Sequence, residues 1–241
     1  MATKKLNILL IHFNRPELLK SQLFSLEKIQ DYNFHIFLSI DGPRNQNNDD
    51  LKARSEFIKI LNNDGLIVIP TDTIYAFATS IKSKKGLERL AKIKNIKLKM
   101  ANFSLICQDL KEISRYTKPF DRKIFKILKN TLPGPFTFIL NANNNISKIF
   151  NSNKKEIGIR IPNHRFIRTL IEELNHPLIC SSVNDEDEIV KYTTDPLIIF
   201  ENHENNVDAV IDYGYGKNVA STVVDCTSNN LVLIRQGAGE L

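Results

Sequence analysis

Short apolar runs punctuate the chain, and one of them is followed at once by a cluster of polar side chains. Residues 66–69 are continuously apolar, which predicts a strand covered on both faces of a sheet. Pro70 ends the pairing of this strand because proline has no backbone N–H to donate. Ligands of open α/β sheets bind at the ends of such strands. The polar residues 71–73 are therefore predicted to form a site there.

The first fifty residues have a pattern of their own. Apolar runs at 6–13 and 34–40 predict two strands, and the spacing over 15–29 predicts an amphipathic helix that a proline opens. We therefore expect a short βαβ-like unit over residues 1–50 and a main domain over residues 51–241. The sequence leaves open whether the second strand joins the edge of the main sheet.

Downstream, apolar runs alternate with amphipathic segments, which is typical of a mixed α/β sheet protein. Helical spacing over 51–61 predicts a helix that ends at an Asn-Asn-Asp-Gly turn. The asparagine-rich residues 141–153 predict a loop around a short apolar turn. Further helices are predicted at 121–130 and 165–174, and strands at 103–107, 136–140, 157–161, 178–182, 207–212, 221–225 and 231–235.

The composition, 42% hydrophobic and 25% charged, is that of an ordinary globular protein. No run approaches the ~20 apolar residues of a membrane-spanning helix, and the apolar run near the start lacks the length and cleavage site of a secretory signal. We expect a cytoplasmic protein with no membrane partner. Cys107, Cys180 and Cys226 are too far apart for a Cys-x-x-Cys pair, so no metal ligand is assigned.

Positive charge is concentrated in one segment. The net charge is +6, and residues 82–99 carry seven lysines and Arg89 against the single acid Glu88. Such a segment is suited to contact the phosphates of a nucleotide or of RNA. A solvated, lysine-rich helix face gives the same pattern. The sequence leaves both interpretations open.

The polar residues at strand ends suit electrostatic rather than covalent catalysis. The sequence has no nucleophile elbow, no Gly-x-x-x-x-Gly-Lys phosphate loop and no His-Glu-x-x-His metal pair. It has hydroxyls, amides and cations, which can hold a nucleotide and polarise an acyl or phosphoryl group. Thr71, Thr73 and Tyr75 occupy alternate positions, so they share one face if strand geometry continues past Pro70.

Several motifs occur in the order found in one known family. They are Pro-Thr-Asp-Thr-x-Tyr at 70–75, Leu-Pro-Gly-Pro-Phe-Thr at 132–137, Gly-Ile-Arg-Ile-Pro at 158–162, Ser-Ser-Val-Asn at 181–184, Ser-Thr-Val-Val-Asp at 221–225 and Ile-Arg-Gln-Gly at 234–237. Over residues 57–241 the chain resembles YrdC-like proteins, the threonylcarbamoyl-AMP synthase family. The resemblance implies an α/β fold with an open, twisted mixed sheet and flanking helices, preceded here by the short βαβ-like unit.

The resemblance also implies an activity. Members of the family join L-threonine, bicarbonate and ATP into threonylcarbamoyl-AMP and release pyrophosphate, the first step of threonylcarbamoyladenosine formation in tRNA. ATP is then a substrate, and Mg²⁺ is expected on its phosphates. The expected partners are these substrates and the tRNA-modification proteins that act downstream.

Individual residues receive roles from the resemblance. The residues expected to act in catalysis, by positioning threonine and its carbamate or by contacting phosphate, are Thr71, Thr73, Tyr75, Lys94 and Arg160. The residues expected to bind ATP are Lys94, Ser182, Asn184, Ser221 and Arg235. Catalysis of this kind rests on positioning and charge neutralisation.

The chain departs from the family pattern near Lys94. Ile96 stands where the Lys-x-Arg motif has its arginine, and isoleucine cannot form the paired hydrogen bonds that a guanidinium makes to phosphate. An apolar residue at this position resembles the YciO-like branch of the family. In addition, Ala76 replaces a glycine, and the acidic residues 185–188 follow Asn184.

Two alternatives to the synthase hypothesis stay open. The first is a YciO-like RNA-binding protein of the same fold with weak or no synthase activity, whose partner is tRNA or double-stranded RNA. The second rests on residues 1–50, which resemble the start of a nucleotide-sugar glycosyltransferase domain. That unit is too short to hold the further strands, the acidic metal-binding motif and the acceptor site of a complete domain.

Overall fold

The computed structural model describes residues 4–13, 32–41, 49–184, 192–228 and 231–241, with side chains from residue 53 onward. The helix predicted over 15–29 and the acidic residues 185–188 lie outside these ranges. The strands are β1 Lys4–Phe13, β2 Tyr32–Asp41, β3 Leu66–Ile69, β4 Ala76–Ser80, β5 Ser104–Ile106, β6 Phe136–Asn141, β7 Glu156–Arg160, β8 Leu178–Ser182, β9 Ala209–Asp212, β10 Thr222–Asp225 and β11 Val232–Arg235. The helices are α1 Asp49–Asn62, α2 Lys84–Ile93, α3 Leu110–Ile113, α4 Arg122–Thr131, α5 Asn144–Ile149, α6 Arg165–Leu174 and α7 Pro196–His203.

The described strands form one mixed sheet in the order β1-β2-β9-β3-β4-β8-β5-β7-β6-β10-β11. The sheet contains parallel pairs, such as β5 with β7, and antiparallel pairs, such as β4 with β8. This arrangement confirms the predicted α/β fold with an open mixed sheet. The second N-terminal strand, β2, pairs in parallel with β9, so the strands of the first fifty residues extend one side of the sheet.

One face of the sheet carries the larger of the two hydrophobic cores that pack on it. In β4, Phe77 packs into this larger core, whereas its neighbours Ala76 and Ala78 pack on the opposite face. Alternation of this kind follows from the two-residue period of a strand. The helices that contribute to the larger core include α2 through Leu90 and α4 through Leu128.

The opposite face is covered over only part of its width. Helices α1 and α6 pack there on β3, β4 and β8, and the rings of Phe57 and Phe166 meet edge to face with centroids 6.3 Å apart. Across β5, β7 and β6 the same face carries Ser104, Gly158 and Thr137, which line a cavity of about 320 Å³. The uncovered part of the face is therefore polar and forms the floor of this cavity.

The turn between β3 and β4 differs from the sequence prediction. Strand geometry does not continue from Pro70 to Tyr75, so the expectation that three alternate residues share a strand face is wrong. The Thr71 hydroxyl accepts from the Thr73 N–H at 3.1 Å and donates to the Ile74 carbonyl at 2.7 Å. These side chain to backbone bonds satisfy the groups that a strand would have paired.

Helices α5 and α7 are among those that the sequence analysis did not predict. Helix α5 lies inside the predicted loop 141–153, and the Asn143 side chain caps it by accepting from the Asn145 N–H. Helix α7 begins after Asp195, which caps it, with Pro196 in the first turn. Both starts carry the expected capping residues, so the signals were present and were overlooked. No helix in the described ranges is long and apolar enough to cross a membrane.

The packing of α6 on the sheet predicts a large effect of truncating one side chain. Leu170 is a fully buried residue of α6 that packs against the sheet, so Leu170→Ala should lower the free energy of unfolding by about 2–5 kcal/mol through lost burial and a residual cavity. Leu197→Ala is the matched control because that side chain is 40% exposed, and it should change stability by less than about 1 kcal/mol. Urea denaturation measures both. Equal losses would contradict the described packing of α6.

Candidate functional site

Strand register fixes the floor of the 320 Å³ cavity, which we call the open-face cavity. Ser104 of β5 lies opposite Cys180 of β8 on one side and Gly158 of β7 on the other. A Cβ atom on Gly158 would lie 2.4 Å from the Ser104 Oγ. Only glycine therefore lets the Ser104 hydroxyl keep its place in the floor.

Polar side chains lie toward both ends of this floor. Moving two residues along a strand shifts the position by ~7 Å and keeps the side chain on the same face. At one end of the floor, two residues along β7 from Gly158, lies Arg160, beside Thr137 of β6. At the opposite end, two residues along β8 from Cys180, lies Ser182, near Glu156, the first residue of β7. The two ends thus carry different chemistry.

At the first end, a buried ion pair holds Arg160. Its Nη2 lies 3.0 Å from Asp72 Oδ1 and 3.0 Å from Thr73 Oγ1, and the side chains of Arg160 and Asp72 are only 7% and 9% exposed. The other carboxylate oxygen of Asp72 accepts from the Asn163 N–H at 3.0 Å. The buried Nε of Arg160 has no hydrogen-bond partner among the described residues. The guanidinium is therefore fixed in orientation through Nη2, while its Nε and Nη1 donors form no hydrogen bond within the described residues.

Arg235 and Ser221 lie together on the β10 side of the cavity. The Arg235 Nη2 donates to the Ser221 carbonyl at 2.7 Å, and its Nε donates to the same oxygen at 3.2 Å. The Ser221 hydroxyl is 2.8 Å from the Thr137 hydroxyl. These bonds hold the Arg235 side chain over the start of β10, where its charge faces the cavity.

Lys94 and Asn184 meet beside Ser182. Lys94 is the C-cap residue of α2, and its Nζ donates to the Ser182 carbonyl at 3.3 Å and to the Asn184 Oδ1. Burial lowers the pKa of Lys94. Ile96 lies two residues after Lys94 and is 39% exposed. Between them, Asn95 has the left-handed backbone conformation, which ends the helical path of α2.

One cation in the cavity was missed by the sequence analysis. Lys154 lines the open-face cavity, and its Nζ donates to the Ala101 carbonyl at 2.5 Å and lies 5.2 Å from the centre of the Phe150 ring. Burial lowers its pKa, and the Glu156 carboxylate raises it in part. No motif marks this residue, because its position depends on contacts that are distant in sequence.

The predicted threonine and tyrosine residues of the 70–75 turn lie elsewhere. Thr71 and Tyr75 line a second cavity of about 430 Å³ with the loop 213–217. The Tyr75 hydroxyl donates to the Gly214 carbonyl at 2.7 Å and accepts from the Tyr213 N–H at 3.2 Å. Burial raises the pKa of Tyr75 well above its usual value. Tyr75 thus anchors this loop, while Thr73 stays beside Arg160.

The structure therefore divides the predicted site residues into two groups. Those that line the open-face cavity or contact its rim are Lys94, Arg160, Ser182, Asn184, Ser221 and Arg235. Thr71 and Tyr75 line the second cavity, and the Asp72–Arg160 ion pair connects the two.

The open-face cavity is rich in hydrogen-bond donors. Within the described ranges the hydroxyls of Ser104 and Ser182 have no hydrogen bond, and Lys154 uses one of its three donors on Ala101. Glu156 is the one carboxylate among the described residues of its lining. A cavity of this composition suits a ligand with many acceptor oxygens, such as phosphates or a carboxylate. Over the described residues no group of three or more His, Cys, Asp or Glu side chains could hold a metal ion.

Comparisons with known proteins point to one family. The Sua5/YciO/YrdC family model, described as telomere recombination, matches residues 59–237. Escherichia coli YciO is 32% identical over 189 residues, which is 78% of this chain and 90% of that protein. A threonylcarbamoyl-AMP synthase of Coxiella burnetii is 29% identical over 140 residues, 58% of this chain and 75% of that protein.

Solved structures share the fold. The crystal structure of Escherichia coli YciO superposes with a TM-score of 0.73 at 30% identity, covering 85% of this chain and 95% of that one. The crystal structure of P. abyssi Sua5 complexed with L-threonine gives a TM-score of 0.73 at 20% identity, covering 84% of this chain and 57% of that one. At that identity the second likeness concerns the fold alone.

The buried ion pair predicts a large effect of removing its acid. Asp72→Ala leaves the Arg160 charge buried without a counter-ion, so stability should fall by about 3–5 kcal/mol in denaturant unfolding. Replacing both residues in Asp72→Ala/Arg160→Met should restore much of the loss. Glu56→Ala is the control, because it breaks an exposed pair with Lys59 and should change stability by about 1 kcal/mol or less. Equal effects of the two acid substitutions would show that the Asp72 pair is not buried in solution.

Proposed function

Because the chain belongs to the Sua5/YciO/YrdC family, we propose that it joins L-threonine, bicarbonate and ATP into threonylcarbamoyl-AMP with release of pyrophosphate. The observation that carries the proposal is the open-face cavity, where cations and unused donors surround one polar floor. Such a cavity provides positioning and charge neutralisation without a covalent nucleophile. The reaction serves threonylcarbamoyladenosine formation in tRNA, so the product would pass to tRNA-modification proteins.

In this proposal ATP crosses the floor of the cavity. Lys94, Ser182 and Asn184 contact it on the β8 side, and Ser221 and Arg235 contact it on the β10 side. Four strand spacings separate β8 from β10, about 19 Å at ~4.8 Å per strand, so the nucleotide must lie extended. The charge of Lys94 and Arg235 then neutralises phosphate oxygens.

L-threonine is assigned to Arg160. A guanidinium matches a carboxylate, and the buried Nε of Arg160 is a donor without a partner among the described residues. Asp72 and Thr73 keep this group in one orientation. Thr71 and Tyr75 act in this proposal by shaping the turn that carries Asp72. A protein of the same fold, Sua5 of P. abyssi, has been solved with L-threonine bound.

The chemical step is a displacement at phosphorus. The amine of L-threonine first bonds to the carbon of bicarbonate, and water leaves, which gives the carbamate. An oxygen of this carbamate then bonds to the α-phosphorus of ATP while the bond to the oxygen of the β-phosphate breaks, and pyrophosphate leaves with that electron pair. The protein supplies no atom to the product, so its contribution is orientation and stabilisation of the developing charge. Among the described residues the lining is rich in donors and holds a single carboxylate, which does not fit a resident Mg²⁺, and we derive no step through a metal held by the protein.

One observation favours the YciO-like RNA-binding alternative. The lysines of the segment 82–99 other than Lys94 are exposed, and Ile96 offers no guanidinium at the cavity rim. Exposed lysines along α2 suit the backbone of tRNA or double-stranded RNA. RNA affinity that falls steeply with salt, together with an absence of pyrophosphate release, would favour this function.

Pyrophosphate release tests the proposal. The purified chain should release pyrophosphate from ATP only when L-threonine and bicarbonate are both present. Lys94→Met should lower kcat/KM by about 10- to 100-fold, because one charge-assisted contact contributes ~1.5–3 kcal/mol. Lys92→Met is the control, since Lys92 is an exposed residue of the same helix, and its activity should match that of the wild type. Folded protein without release, or release without threonine, would contradict the proposal.

A further inference from the structure

Lys154 holds its ammonium group in an unusual setting for a lysine that forms no ion pair with any described residue. The group is half-buried beside the Phe150 ring and has one acceptor among the described residues, the carbonyl of Ala101. Glu156 follows two residues later, yet no ion pair within 4.0 Å joins them. Two of the three Lys154 donors are therefore available to a ligand. Partial burial of a cation without a counter-ion is unfavourable until an anion binds.

The surroundings of Lys154 indicate what kind of anion fits. Lys154 precedes β7 by two residues, and Lys94 contacts β8, which lies two strand spacings, about 10 Å, from β7. The unused hydroxyls of Ser104 and Ser182 belong to β5 and β8. Two cations at the same end of one polar floor, with hydroxyl donors beside them, match a chain of phosphates better than a single carboxylate.

We propose that Lys154 binds the phosphate chain of the nucleotide and, with Lys94, supplies the positive charge that Ile96 does not. The inference rests on the proposed function, because it assigns a further residue to the same ATP site. A lysine contacts phosphate as a compact point charge, whereas the guanidinium of Arg160 suits the planar carboxylate of threonine. Arg160 also lies at the opposite end of the floor, four residues along β7 from Glu156.

A purely structural role for Lys154 is the competing explanation. The bond to Ala101 ties residue 154 to the turn that precedes β5, and this tether alone could account for the position of the ammonium group. A tether would contribute to stability and leave ligand affinity unchanged. Ligand binding and stability therefore separate the two explanations.

Calorimetric titration of the full chain with ATP, pyrophosphate and AMP tests the assignment without relying on turnover. Lys154→Met should weaken ATP and pyrophosphate binding by about 10- to 100-fold. AMP should be affected less, because it lacks the β- and γ-phosphates. Lys154→Arg should keep much of the affinity. Lys155→Met is the matched control, because Lys155 is the exposed neighbour, and its affinities should equal those of the wild type.

Other outcomes separate this inference from the proposed reaction. Unchanged ATP and pyrophosphate affinity in Lys154→Met, with a lowered melting temperature, would overturn the assignment and leave the tether to Ala101. A wild-type chain that binds neither ligand would overturn it as well. If both ligands bind through Lys154 but no pyrophosphate is released with threonine and bicarbonate, the assignment stands and the proposed reaction fails.

Discussion

The buried ion pair between Asp72 and Arg160 is the interaction on which the rest of the site depends. It joins the turn after β3 to the end of β7, which are strands from different parts of the sheet. Desolvating two charges is unfavourable, and bonds from the Asn163 N–H to Asp72 and from Arg160 to Thr73 offset part of that cost. The buried Nε of Arg160 has no partner among the described residues. The result is a rigidly held guanidinium with unused donors in the wall of the cavity.

The location of the cavity follows from incomplete coverage of the sheet. Helices α1 and α6 cover the face over β3, β4 and β8, and the alternate positions there are apolar. Where this helical cover ends, the same positions become serine, glycine and threonine, as at Ser104, Gly158 and Thr137. Small polar residues leave room and supply hydrogen-bond donors. The strand pattern that builds the core therefore also builds the site, because β5, β7 and β6 bury apolar residues in the larger core on one face and present these three residues on the other.

The sequence predicted regular elements well and long-range contacts poorly. Helix α6 was predicted with the bounds that the structure shows, because its apolar spacing and its cap are local signals. The turn at 71–74 was not, since Thr71 satisfies backbone groups with its own side chain. Arg160 was expected at the site from its motif, but its pairing with Asp72 was not. Lys154 was missed because Phe150 and Ala101 come near it only in the folded chain.

The central claim is that the open-face cavity, rather than the cavity beside loop 213–217, receives the substrates. Hydrogen–deuterium exchange of the intact chain, with and without ATP and L-threonine, tests this claim most directly. The account predicts that the ligands slow amide exchange at 101–106, 154–160 and 180–184. Protection confined to residues 213–217, with no change across the open-face cavity, would contradict it.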